Sequence, residues 1–165
     1  MEKIGMQYVE DPEIKLSGIK KIVMLGDPGC TGFYQDSQKV LGTILKQKAD
    51  LFFILGDLVF TGSGEEFREI FDFCNSRIKT PIYALSGNHD LPHYSKFLGL
   101  GTCALILDHH ICLFLCNARG HFSEKDVDFL RKARWIPLIE IESIHFAGVL
   151  PKSKARDPRP KNPAA

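Results

Sequence analysis

The sequence predicts an α/β fold built on a parallel sheet, and three observations lead there. Short, almost unbroken apolar runs alternate with stretches of helical period between residues 20 and 85. Each of the first three runs ends in glycine followed by a polar residue: Gly26-Asp27, Gly56-Asp57 and Gly87-Asn88. Those polar residues stand thirty and thirty-one positions apart, and one strand–helix unit occupies roughly thirty residues. Strands apolar along their whole length are buried on both faces, as parallel strands joined by right-handed crossover helices are.

The elements follow in order. Residues 1–19 show no clear period and read as an extended lead-in. Lys20 to Leu25 is the first buried strand. From Asp36 to Lys48, Val40, Leu41, Ile44 and Leu45 recur at helical spacing, with Asp36 or Ser37 placed to cap. Leu51 to Leu55 is the second strand. Ser63 and Glu66 then form a capping box ahead of Phe67, Ile70, Phe71 and Cys74, the core face of an amphipathic helix. Pro81 to Leu85 is the third strand and runs into Ser86-Gly87-Asn88-His89-Asp90.

Past residue 90 the pattern changes. Thr102–Leu107 and Ile111–Cys116 flank Asp108-His109-His110, which predicts a hairpin. Ser123 opens another helix with Asp126 in the box position, Val127, Leu130 and Ala133 directed inward, and Trp135-Ile136-Pro137 ending it. Leu138 to Phe146 reads as a last strand. The tail from Pro151 holds four prolines and five basic residues, has almost nothing to bury, and is expected to be disordered. The expected organisation is one domain over 20–150, between a lead-in at 1–19 and a tail at 151–165.

Composition narrows the function classes. A net charge of +1 provides no overall field toward nucleic acid or an acidic membrane. The longest apolar run, Ile111 to Cys116, is far too short for a membrane span. The N-terminus mixes both charge signs and lacks the apolar core of a signal peptide, so the expected location is the cytoplasm. Five cysteines, Cys30, Cys74, Cys103, Cys112 and Cys116, are scattered without a C-x-x-C pair and read as buried thiols. Gly26 to Gly32 is glycine-rich after a strand, but has neither the G-K-(S/T) of a phosphate-binding loop nor a G-x-G-x-x-G fingerprint.

Equal spacing places Asp27, Asp57 and Asn88 at the carboxyl edge of one sheet, where open α/β sheets bind ligands. Glycine before each lets the backbone turn sharply there. Two carboxylates and an amide oxygen make a hard-oxygen site suited to a divalent cation. In this order the motifs resemble the calcineurin-like metallophosphoesterase superfamily, whose signature runs D-x-H or G-D-x-G, then G-D-x-x, then G-N-H-(D/E). Here they read Gly26-Asp27-Pro28-Gly29, Gly56-Asp57-Leu58-Val59 and Gly87-Asn88-His89-Asp90, and the resemblance extends over about residues 20–134.

The resemblance implies a metallophosphoesterase-type β-sandwich flanked by helices, and a metal-dependent phosphoric ester hydrolase. It implies two divalent metal ions, drawn from manganese, iron, zinc and magnesium. Asp27 would bind the first, Asp57 would bridge both, and Asn88 would bind the second. His89 would act as general acid or charge stabiliser at the leaving oxygen, with Asp90 orienting its ring. The substrate would be a phosphate mono- or diester, small or macromolecular, attacked by a hydroxide held between cations ~3.5–4 Å apart. Histidine suits proton donation near neutral pH.

The chain also departs from the family. Gly29 stands where many members carry a metal-binding histidine. Phe60 occupies the position of the tyrosine that binds ferric iron in members with G-D-x-G, and it offers no side-chain oxygen. No G-H-x-H occurs. His145, near the end of the last expected strand, is the candidate for the strand-end ligand. His93 could brush substrate, His109 and His110 fall in the hairpin turn, and His121 falls in a loop. The stretch 135–165 reads as a truncated or frame-shifted continuation, which would leave the C-terminal sheet incomplete. The alternative reading is a catalytically incomplete remnant of the same family.

Overall fold

The computed structural model describes residues 5–31, 34–132 and 143–147. Two sheets stack face to face between layers of helix. The first has strand order β1-β5-β4-β3, all parallel: β1 is Gly5–Met6, β5 Pro81–Leu85, β4 Leu51–Leu55 and β3 Ile22–Leu25. The second has order β2-β6-β7-β8: β2 is Glu13–Lys15, β6 Cys103–Ile106, β7 His110–Phe114 and β8 Ser143–Ala147. Only the β6–β7 hairpin is antiparallel; β2 and β8 run parallel to their neighbours.

Burial on both faces explains the unbroken apolar strands. In β4, Phe52 and Ile54 join one core while Leu51 and Phe53 join another; in β5, Ile82 and Ala84 oppose Tyr83 and Leu85 in the same way. The outer core is roofed by α1 (Tyr34–Ile44), α2 (Gly64–Arg77) and α3 (Tyr94–Leu98), through Leu41, Phe67, Ile70, Cys74, Tyr94 and Leu98. The inner core lies between the sheets, where Phe53 meets Phe114 edge to face at 4.8 Å. On the far side of the second sheet, α4 (Glu124–Lys132) rests Phe129 and Leu130 against Ala104, Ile111 and Leu113.

Several expectations need adjusting. The lead-in is extended, and it also contributes a strand to each sheet, pairing Gly5 with Pro81 and Ile14 with Leu105. With β2 in place, four strands cover the inner face of the first sheet, so that face is core. The first helix begins at Tyr34, so Asp36 and Ser37 lie inside it rather than at its cap. His110 is the first residue of β7 rather than part of the turn. Val127 is exposed, because α4 packs through Phe129 and Leu130 instead.

Both capping boxes form. Ser63 Oγ accepts from the Glu66 amide at 3.2 Å. The Glu66 carboxylate reaches back to the Thr61 amide and hydroxyl, at 2.8 and 2.6 Å, rather than to Ser63. Asp126 accepts from the Ser123 amide and hydroxyl at 2.7 and 2.6 Å, and from the Thr102 hydroxyl, so it ties α4 to the β6 entrance. The last expected strand, Leu138 to Phe146, overlaps β8, where Ser143–Ala147 pairs with β7 and Cys112 stands opposite His145 along the backbone. The other residues of 133–165, including the basic tail, lie outside the described residues.

Candidate metal centre

The three adjacent strands β3, β4 and β5 all run the same way, so Asp27, Asp57 and Asn88 leave the sheet at one edge. Asp27 and Asp57 have φ of 46° and 45°, the only positive values at non-glycine residues among those described. Aspartate visits this left-handed region more readily than most residues, but still at a cost of ~1–3 kcal/mol, and such strain clusters at functional sites.

Two glycines let the three loops interlock. The Gly29 amide donates to Asp57 O at 2.7 Å, and a Cβ on Gly29 would lie 2.5 Å from Val59 C and 2.7 Å from Asp57 O. The neighbours are backbone, so no rotamer change makes room. This is the physical reason that a histidine cannot stand at position 29 in this geometry. A Cβ on Gly87 would fall 2.0 Å from Asp57 Oδ1, and the same oxygen accepts from the His89 amide at 3.1 Å. Asp57 is thus drawn beneath the third loop and is 8% exposed, whereas Asp27 and Asn88 are open to solvent.

Asp90 is the keystone. Its side chain is fully buried, with Oδ2 accepting from Gly87 N at 2.9 Å and Leu58 N at 3.2 Å, and Oδ1 accepting from Val59 N at 3.1 Å. Burial lifts its carboxyl from 3.8 to about 6; the three amides oppose that rise and the Asp57 charge adds to it. The expectation that Asp90 orients the His89 ring is therefore corrected: its oxygens serve the backbone of the second and third loops.

His89 is held instead by Phe60. Its Nδ1 lies 2.5 Å from Phe60 O, and a carbonyl only accepts, so Nδ1 carries the proton and Nε2 takes no part in that bond. The Phe60 ring stacks on the imidazole, with centroids 5.9 Å apart and planes 17° from parallel. Phe60 offers a metal no side-chain oxygen, but it fixes both the tautomer and the tilt of His89. Sequence reasoning missed this because the working atom belongs to the backbone. His93 sits at the start of α3, with its ring about 3.9 Å from the Cβ position of Gly64.

The donors fit a divalent cation in kind, two carboxylates and an amide oxygen. They are few in number: among the described residues, no three His, Cys, Asp or Glu side chains gather into a metal-holding group. The backbone of His145 lies in β8 of the second sheet, and its side chain is not among those described. Cysteine does not fill the gap, since burial pushes the Cys74 and Cys103 thiols up to about 12, far from the thiolate form.

A family model of calcineurin-like phosphoesterases matches residues 20–155, most of the chain. The protein belongs to the calcineurin-like phosphoesterase family. The match takes in all three strand-end motifs and continues past residue 134 into the segment that the motifs alone leave unassigned. No curated protein matches the sequence. The two-sheet α/β architecture agrees with this membership. Among the described residues, no helix is long and apolar enough to cross a membrane.

Proposed function

We propose that this family member hydrolyses a phosphate mono- or diester at the edge formed by Asp27, Asp57, Asn88 and His89, in a metal-dependent reaction. The observation that carries this reading is the interlocked set of loops: Asp90 and the two glycines fix Asp57 and His89 relative to each other. Pre-positioning of this kind is what electrostatic and acid–base catalysis require. Asp27, Asp57 and Asn88 would hold the cation, which when bound would polarise the phosphoryl group. Two cations, with Asp57 bridging them, are the fuller form of this proposal, and His145 is the proposed extra ligand.

The protein's own groups would do the rest. Asp57 offers charge from a nearly buried position, where it counts for more than in water. Nε2 of His89 would stand at the leaving oxygen and deliver a proton to it. The Phe60 carbonyl holds Nδ1–H, which leaves Nε2 as the nitrogen that would carry the donated proton. Location in the cytoplasm remains part of the proposal.

The second reading, a remnant that keeps the fold without turnover, is favoured by the short donor list among the described residues. Calorimetric titration with manganese separates the two without relying on activity. Saturable binding that Asp57→Asn weakens at least ten-fold, as expected for loss of a direct ligand (~1.4 kcal/mol or more), supports the metal site. Identical titrations of parent and variant would refute it.

A further inference from the structure

Beside the strand-end donors lies a cleft of about 530 Å³, a size suited to a small organic ligand. It borders the Gly87–Asp90 turn at both ends: Ser86 precedes that turn, Leu91 follows it, and both line the cleft. The turn that bears Asn88 and His89 is thus a shared boundary. The segment between β7 and α4 contributes Arg119 and His121 to the lining, and the first turn of α4 contributes Lys125. Leu91, Leu100 and Phe129 supply apolar surface.

The charges in this cleft are unbalanced. Its one acidic lining residue, Asp126, is committed to Ser123 and Thr102, which hold its carboxyl low despite burial. Among the described residues, Arg119, His121 and Lys125 make no ion pair or hydrogen bond; the only salt bridge there joins Arg131 to Asp128 on the far turn of α4. The α4 N-terminus is already served by Ser123 and Asp126, so these side chains, not the helix end, are the anion-seeking groups. Two cationic side chains with a histidine beside them suit a phosphate, and arginine is matched to phosphate in particular.

We propose that this cleft is the leaving-group subsite of the phosphoester site, and that it selects esters whose leaving group joins an aromatic or other apolar moiety to a second phosphate. The apolar part would lie on Leu91, Leu100 and Phe129, and the second phosphate would reach Arg119, His121 and Lys125. The scissile phosphate would remain across the Gly87–Asp90 turn. The assignment of substrate class rests on reading the strand-end residues as the reacting site, but anion binding in the cleft requires no metal and is tested without one.

The experiment is a titration of the full chain with 1-naphthyl phosphate in EDTA, followed by calorimetry and by amide shifts of Gly99 and Gly101. Saturable binding is expected, tighter than that of inorganic phosphate or 1-naphthol alone. The pair Arg119→Ala with Lys125→Ala should weaken it at least ~10-fold, as loss of charge-assisted bonds does, while Lys46→Ala in the turn after α1 should leave it unchanged. A melting curve checks that the double variant is folded, and the amide shifts report on the parent without any substitution. Absence of saturable binding, unmoved Gly99 and Gly101 amides, or equal affinity in the double variant would each overturn the subsite. Metal-dependent hydrolysis of simple aryl phosphates is a separate readout, so failure of the subsite and failure of the catalytic reading are told apart.

Discussion

Replacement of Asp90 tests how the site is held together. In Asp90→Ala, the amides of Leu58, Val59 and Gly87 lose their common acceptor inside the protein. A buried donor left unsatisfied costs ~1–3 kcal/mol, so the gross loss is about 3–9 kcal/mol. Against this, the buried carboxylate is itself disfavoured: its rise from 3.8 to about 6 corresponds to about 3 kcal/mol, which the variant recovers. The net expectation for alanine is a loss of about 0–6 kcal/mol with a centre near 3, a large part of the 5–15 kcal/mol that holds a domain folded.

Asp90→Asn distinguishes the acceptor from the charge. Its carbonyl can take the place of Oδ2 and keep the bonds from Gly87 and Leu58, while the charge disappears. One lost bond and one removed burial cost nearly cancel, so asparagine should lie within about 1 kcal/mol of the parent. Urea denaturation of the three metal-free proteins measures this directly. Equal stability of the alanine and asparagine variants would refute the reasoning, because it would mean that the acceptor geometry holds nothing.

Two further predictions follow from the same loops and from α4. Gly29→Ala should destabilise by about 1–3 kcal/mol and should depress metal binding, since its Cβ can be admitted only by moving the Asp57–Val59 backbone; an unaltered melting temperature would contradict the clash. Asp126 has its carboxyl held low by Ser123 and Thr102 in spite of burial, so its stabilisation is present above the ordinary value of 3.8 and is lost as pH falls through the folded value. Asp126→Asn should therefore flatten the acid limb of the stability profile, and an acid limb identical to the parent's would count against that account.

The parts of the fold governed by local chemistry were legible in the sequence. The period of Leu51–Leu55 and Pro81–Leu85, the boxes at Ser63 and Ser123, and the repeated Gly-polar strand ends each express one physical rule, and each reappears in the structure. The pairing of residues 5–15 was not legible. Two- and three-residue strands have no readable period, and their partners lie far along the chain, as Pro81 does from Gly5 and Leu105 from Ile14. Val127 misled because helical spacing marks a stripe without saying which edge of it meets the sheet.

In the candidate site, the side-chain donors could be named from motifs, but their supports could not. The Phe60 carbonyl under His89, and the Leu58, Val59 and Gly87 amides around Asp90, are backbone groups brought together across about thirty residues. Arg119 and Lys125 were passed over because basic residues in a loop have no pattern until the cleft they line is known.

The most direct test of the central claim is hydrolysis of an aryl phosphate monoester and diester by the full chain, with and without manganese, beside Asp57→Asn and His89→Ala. The account predicts metal-dependent turnover, reduced at least ~100-fold in each variant, the scale expected for loss of a ligand or of a general acid. Folded parent protein that binds manganese but shows no turnover on either ester, or turnover that survives Asp57→Asn, would contradict it.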